Sequence, residues 1–259
     1  PIPTSPTPVA PIALITGGSL GLGKSTALHV AAHGSDVILT YRSQASEAQA
    51  VVAQIEALGR RAVALPLDVG VSASFADFAA RVQAVLATTW QRDRFDHLVN
   101  NAGVGSYASL MDTTEAQFDE LVNIHFKGVF FLTQKLLPLM ADGGRIINLS
   151  SGLTRFALPN YSAYASMKGA VEVLTHYMAK ELGPRGIAVN TVAPGAIATD
   201  FGGGHVRDDA QINSFVAGQT ALGRVGLPDD IGGVVAALLS PANGWVNAQR
   251  IEASGGMFL

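Results

Sequence analysis

The residues with the plainest chemical potential are a tyrosine and a lysine four positions apart, in Tyr164-Ala165-Ser166-Met167-Lys168. The stretch around them, 162–183, has helical periodicity. Positions i and i+4 share one helix face, so the ammonium stands beside the phenol. A free tyrosine titrates at roughly 10, and an adjacent cation favours phenolate. Tyr164 is therefore expected to serve as an acid and base nearer neutrality. Tyr161 is the internal contrast, since four residues on it meets Ala165. Such a pair also arises between ordinary neighbours on a solvated helix, so the rest of the chain has to decide.

A second group lies near the start, where Ile12–Thr16 runs into Gly17-Gly18-Ser19-Leu20-Gly21-Leu22-Gly23 and a helical pattern follows. A glycine turn between a strand and a helix offers backbone amides and a helix N-terminus to a pyrophosphate. A Cβ there would block the approach. The spacing is Gly17-x-x-x-Gly21-x-Gly23 rather than G-x-G-x-x-G. The same segment, from Gly18 to Ser25, also spells the G-x-x-x-x-G-K-S of a P-loop, with Lys24 for phosphates, Ser25 for magnesium and Asp68 as an acidic partner. On this turn alone a dinucleotide site and a P-loop ATPase stand level.

The elements that must hold these groups alternate. Ile12–Thr16, Asp36–Tyr41, Arg61–Leu67, Asp96–Asn100, Arg145–Leu149, Ile187–Val192 and Trp245–Ile251 read as strands, with helices near 23–33, 44–58, 72–88, 114–140, 162–183 and 229–239. Alternation of this kind predicts an α/β fold, a single-domain, Rossmann-like, doubly wound parallel sheet with helices on both faces. Residues 12–259 read as that domain. Residues 1–11, with five prolines, read as an extended tail lacking the basic start and apolar run of a secretory signal. Residues 199–225, with Gly202-Gly203-Gly204 and weak periodicity, read as a mobile loop or lid over a site.

Composition narrows the classes. The chain has no cysteine, which excludes disulfides, thiolate metal sites and a thiol nucleophile. A net charge of −3 argues against a nucleic-acid partner. With no apolar run of about 18 residues, no membrane span is expected, and the protein is placed in the cytoplasm. His29 and His33 have the i, i+4 spacing of metal ligands, but no third ligand can be named, so no metal is expected.

Beyond these pieces, Thr16-Gly17-x-x-x-Gly21-x-Gly23, Asn100-Asn101-Ala102-Gly103, Ser151, Tyr164-x-x-x-Lys168 and Pro194-Gly195 occur in order, with Ser151 thirteen residues before Tyr164. In that order the chain resembles the short-chain dehydrogenase/reductase family over roughly residues 12–257, and the ordered set displaces the P-loop. The resemblance implies an NAD(P)-dependent oxidoreductase of the carbonyl reductase or alcohol dehydrogenase type. Tyr164 would protonate the carbonyl oxygen, Lys168 would tune Tyr164 and hold the nicotinamide ribose, and Ser151 would polarise the carbonyl. Ser150 is the competing serine, with spacing in favour of Ser151. The cofactor would lie along Gly17, Ser19, Leu20, Gly21, Leu22 and Gly23. Asp68 and Val69 would meet adenine, and Asn101, Ala102 and Gly103 would border the adenosine ribose. Pro194, Gly195, Ile197 and Thr199 would pack on nicotinamide.

Many relatives add an asparagine from the long helix after the Asn-Asn-Ala-Gly strand. Counting back from Gly128, the Asn-x-x-Gly pattern lands on His125. At about 100° per residue His125 falls within about 20° of Phe118, beside Leu121, Val122 and Val129, whereas Asn123 lies off that stripe. His125 is thus assigned the fourth catalytic position, where a neutral imidazole would hold a relay water. At the end of the second strand, where an NAD enzyme would place a carboxylate, stand Tyr41, Arg42 and Ser43. A guanidinium and a hydroxyl suit a 2′-phosphate, so NADPH/NADP is expected in preference to NAD. Phe156, Tyr161 and Phe201 are the expected substrate-pocket residues for a small carbonyl or alcohol. The alternatives are a 3-oxoacyl-carrier-protein reductase, a non-catalytic NADP-sensing protein and the disfavoured P-loop ATPase. Relatives imply a homotetramer or homodimer.

Overall fold

The computed structural model describes residues 9–259. Of the expected tail, residues 1–8 lie outside the described residues. Strands β1 (Ile12–Ile15), β2 (Asp36–Tyr41), β3 (Ala62–Pro66), β4 (Phe95–Asn100), β5 (Met140–Leu149), β6 (Ala188–Pro194) and β7 (Arg250–Ala253) form one sheet in the order β3-β2-β1-β4-β5-β6-β7. Every pairing is parallel, with Ala13 opposite both Val37 and His97, and Val192 opposite Ile251.

The sheet is apolar on both faces because both are covered. In β1 alternate residues divide between two cores. Ala13 and Ile15 join Val37, Leu39, Val99 and Ile147 under α1 (Gly21–Ala32), α2 (Ala45–Ala57) and a C-terminal helix, Pro228–Leu239. Ile12 and Leu14 join Ile38, Leu98 and Ile146 on the other face, under α3 (Phe75–Val85), the later half of the long central helix and Ser162–Leu182. Order reverses between β1 and β4, so their carboxyl ends, with those of β5 and β6, surround the crevice where open parallel sheets take ligands.

Three elements differ from expectation. The helix expected over 114–140 is α4 (Glu115–Leu121), a π turn at Val122–Lys127, α5 (Gly128–Leu136) and a 3-10 turn at Leu137–Leu139. Its start carries a capping box between Thr114 and Gln117. The π turn adds a residue to the helical circuit and shifts the angular register. Phe118 is consequently 41% exposed while His125 is 1% exposed, so the Phe118 stripe does not place His125, although its burial with Leu121 stands.

The last strand is Arg250–Ala253 and Trp245 is fully exposed, because Asn190 and Asn247 side chains bond the backbone where a ladder was expected. The segment 199–225 is largely helical, with α7 (His205–Asp208) and α8 (Ala210–Gly218), the latter capped by the Asp209 carboxylate accepting from the Gln211 and Ile212 amides. Gly202, Gly203 and Gly204 all have positive φ, the left-handed run that swings the chain into α7. The helix Ser162–Leu182 is α6, and Pro228–Leu239 is α9.

Candidate active site

The glycine turn owes its shape to two residues. Gly17 has φ +64, and a Cβ on Gly23 would collide with the Gly17 carbonyl, so the turn folds back tightly on the first turn of α1. Asn101 locks it from β4, its side-chain amide donating to the carbonyls of Thr16 (2.9 Å) and Gly17 (3.2 Å). Leu20, at the helix N-cap, makes no side-chain cap bond, so α1 opens on amides that no side chain satisfies. These amides border a cavity of about 570 Å³ lined by Gly17, Ser19, Leu20, Gly21, Leu22 and Gly23. A phosphate-bearing dinucleotide fits that cradle, in which a Cβ or a cap would intrude.

The P-loop alternative fails on geometry. Ser25 is buried and donates to Asp229 of α9 (2.6 Å), and neither it nor Lys24 lines the cavity. The His29 and His33 rings bond the backbone carbonyls of Ser25 and His29, one turn back on their own helix.

At the far rim of the same cavity, Tyr41, Arg42 and Ser43 follow β2. Among the described residues Arg42 makes no ion pair, in contrast to Arg60 and Arg61, both spent on buried Asp36. Asp68 accepts from the Gly70 amide through one oxygen (2.8 Å) and lies beside Val69 in the wall. Asn101, Ala102, Gly103, Pro194, Gly195, Ile197 and Thr199 line the middle.

Opposite the glycine turn, α6 carries Tyr164 and Lys168, both buried. Lys168 Nζ donates to the Leu149 carbonyl (2.8 Å) and lies 5.7 Å from the Tyr164 ring centre. Burial drives the Tyr164 phenol well above the ordinary tyrosine range; a hydrogen bond with Ser151 pulls it back a little, and Tyr161 pushes it further up. Burial also brings Lys168 down to about 8. The expected lowering of Tyr164 by Lys168 is thus not realised. The lysine's partner is a neutral carbonyl, and loss of water outweighs a charge that is itself costly to keep.

The two serines separate cleanly. Ser151 caps the short turn Gly152–Thr154, accepting from the Leu153 amide (3.2 Å), and lines the cavity beside Tyr164. Ser150 also borders the cavity, but its hydroxyl donates backwards to Glu172 (2.6 Å).

His125 lies edge-on to Tyr164, ring centres 5.2 Å apart. Its Nε2 faces both the Val104 carbonyl (2.8 Å) and the Val104 amide (3.3 Å). The closer contact is made by the Nε2–H tautomer, in which Nδ1 is a buried acceptor without a partner among the described residues. Burial, aided by the Lys168 charge, holds the imidazole near 3, so it is neutral at any ordinary pH.

Beyond Tyr164 the cavity turns apolar. The expected Phe156, Tyr161 and Phe201 line it, Phe201 at 5.8 Å from Tyr164 between ring centres. Sequence reasoning missed Leu158, Ile212, Phe215 and Met257 in the same wall. Ile212, Phe215 and Val216 have i, i+3, i+4 spacing after a capping aspartate, a short helical signal hidden by the glycine run before it.

Comparison with known proteins agrees with this architecture. The family model described as enoyl-(acyl carrier protein) reductase matches residues 17–258. Versicolorin reductase 1 of Aspergillus parasiticus is 34% identical over 257 residues, covering 95% of this chain and 96% of its own. The promiscuous reductase LugOII, which catalyses keto-reduction at C1 during lugdunomycin biosynthesis, superposes with a TM-score of 0.92 at 38% identity, covering 98% of this chain and 100% of that one. The landomycin C-6 ketoreductase LanV, with bound NADP and rabelomycin, superposes with a TM-score of 0.87 at 35% identity over 96% of each chain.

Proposed function

The chain belongs to the short-chain dehydrogenase/reductase family and is an NADPH-dependent oxidoreductase interconverting a ketone and an alcohol, and from that premise we propose that its substrate is a bulky, flat aromatic ketone reduced by Tyr164, Ser151 and Lys168. The observation that carries the substrate class is the wall beside Tyr164, where Phe156, Tyr161, Phe201 and Phe215 offer aromatic faces and Leu158, Ile212 and Met257 fill between them. Flat ring systems stack on such faces, and an apolar wall loses little when it sheds water. The relatives support this reading: one is a versicolorin reductase, one a landomycin ketoreductase with rabelomycin bound, and one a reductase that catalyses keto-reduction during lugdunomycin biosynthesis.

When bound, the nicotinamide supplies the hydride. Tyr164, kept protonated by its burial, gives its Oη proton to the carbonyl oxygen. The Ser151 hydroxyl hydrogen-bonds that oxygen and polarises it. Lys168, within reach of the cavity, holds the ribose hydroxyls, and its charge beside Tyr164 steadies the phenolate that proton donation leaves. His125 Nδ1 accepts a hydrogen bond from a relay water, the part an asparagine amide plays in many relatives. Arg42 and Ser43 bind the 2′-phosphate, with Arg42 in no ion pair among the described residues. The glycine turn holds the pyrophosphate, Asp68 and Val69 adenine, and Pro194, Gly195, Ile197 and Thr199 the carboxamide side.

Residues 12–259 act as one domain, in the cytoplasm, as a homotetramer or homodimer. Support for assembly is the exposed apolar set Phe118, Phe130, Phe131 and Tyr177 on α4, α5 and α6, tested by sedimentation velocity. Reduction of a fused-ring ketone series by NADPH tests the substrate class. Catalytic efficiency should rise from cyclohexanone through α-tetralone to a four-ring ketone; a preference for cyclohexanone would contradict it.

A further inference from the structure

One polar cluster lies outside the site and nothing in the reduction uses it. Arg155 projects from the loop after Ser151 and donates to both carboxylate oxygens of Glu252 on β7, at 2.8 and 2.6 Å. The same guanidinium donates to the carbonyls of Met257 (2.6 Å) and Phe258 (3.0 Å). Glu252 also accepts from Arg250 and Ser254. The Arg155 bond, against the opposing cost of burial, holds the Glu252 carboxyl down to about 2, so the pair is ionised throughout the working range.

The segment that Arg155 grips is pinned on its other side to the residues after α8. Ala221 and Leu222 amides donate to the Gly256 and Gly255 carbonyls, and the Phe258 amide donates to Gln219. Phe258 is wedged between Phe156 (4.8 Å between ring centres) and Phe215 (6.4 Å). Phe156 and Phe215 both line the cavity, as does buried Met257. The Arg155 guanidinium therefore joins the loop bearing Ser151 to the C-terminal strap 254–258 beside the Phe156–Phe258 contact, and the strap joins that loop to α8. Arg250 ties the same loop to Glu252 through the Ser151 carbonyl and the Thr154 hydroxyl.

We propose that Arg155, through its Glu252 clasp, is a positioning residue for the ketone. It seats the C-terminal strap so that Met257 and α8 form a fixed wall at a set distance from Ser151 and Tyr164. Arg is required because one planar fork reaches a carboxylate and two carbonyls together, which a lysine ammonium cannot match. Free of the clasp, the strap and α8 drift, and a large ketone loses its alignment while the cofactor half of the cavity, built on β1, β2 and β4, is untouched. The inference rests on the substrate side of the cavity as read above.

The test uses full-length Arg155→Ala and Arg155→Lys in two readouts. Without substrate, hydrogen exchange should quicken at the Ala221, Leu222 and Phe258 amides and stay unchanged in β1 and β4. In steady state, KM for the largest ketone that the wild type reduces should rise roughly tenfold or more in Arg155→Ala, with KM for NADPH unchanged and Arg155→Lys intermediate. Should Arg155→Ala fail to fold, Arg155→Lys and Glu252→Gln give the same exchange readout. Unchanged exchange at those three amides, or a KM for NADPH rising in step with that for ketone, overturns the clasp. A wild type that prefers small ketones sinks the substrate class instead, and leaves the exchange result to judge the clasp alone.

Discussion

The two halves of the cavity are made of different material. The cofactor half is largely backbone: a glycine turn, an uncapped helix start and the ends of β1, β2 and β4, tied by the Asn101 amide to Thr16 and Gly17. The substrate half is side chain, drawn from the loop after Ser151, α8 and the C-terminal strap, and held by Arg155 and by ring contacts. Backbone geometry dictates residue type, because only glycine fits at Gly17 and Gly23. A wall needs only bulk and apolarity, which many residues supply. One half is therefore written as a motif and the other is not.

Substitutions can break this division or sharpen it, and Tyr164, at the seam, should show the largest effect. Tyr164→Phe removes one hydroxyl and should lower kcat by about 10²–10⁴-fold with NADPH binding retained, read by NADPH oxidation and by fluorescence titration. Arg42→Ala should touch the cofactor half alone. KM for NADPH is expected to rise roughly 10- to 100-fold, that for NADH to stay level, and that for ketone to stay level too. A loss shared by both cofactors would place Arg42 outside the phosphate site.

A third effect is on stability. Lys168 is charged at the expense of burial, with a folded value near 8 against 10.5 for the free side chain. Below pH 8 both folded and unfolded chains hold the proton, and the burial cost is present in full. As pH rises from 8 towards 10.5 the folded chain has released the proton while the unfolded chain still binds it, so stability rises. Lys168→Met should thus be inactive yet more stable than wild type at neutral pH, with the gain shrinking over that window in urea melts. A gain that does not change with pH would contradict the assignment.

The smallest effect belongs to His125. His125→Asn should keep kcat within about threefold, and its pH profile above about pH 5 should overlay the wild type, because the imidazole is already neutral there. Complete loss of turnover in a folded protein would give His125 a part that asparagine cannot fill.

The same contrast explains what could be read in the chain beforehand. The parallel sheet and its helices were legible because β1 and the middle of β2 are short apolar runs, and β6 a short buried one, set between longer helical periods, a pattern that both-face burial imposes. The π turn at Val122–Lys127 was not, since nothing in Val122-Asn123-Ile124-His125 distinguishes it from a regular turn, and reckoning by 100° put Phe118 on the wrong side. The last strand was misplaced because Asn190 and Asn247 do with side chains what a ladder does with backbone. Tyr164 and Lys168 were legible as a pair, but the direction of the tyrosine's shift was not: burial of both groups is a property of the packed site. The clasp between Arg155 and Glu252 spans 97 positions, with no local spacing to announce it.

The central claim is that this cavity reduces a ketone by hydride transfer with Tyr164 as the proton donor. The most direct measurement is mass spectrometry of the alcohol formed from a fused-ring ketone and NADPH deuterated at its transferable position. The wild type should deliver the deuterium to the former carbonyl carbon, and Tyr164→Phe should form the same product about 10²–10⁴-fold more slowly. An unlabelled alcohol, or labelled alcohol formed by Tyr164→Phe at the wild-type rate, would contradict the account.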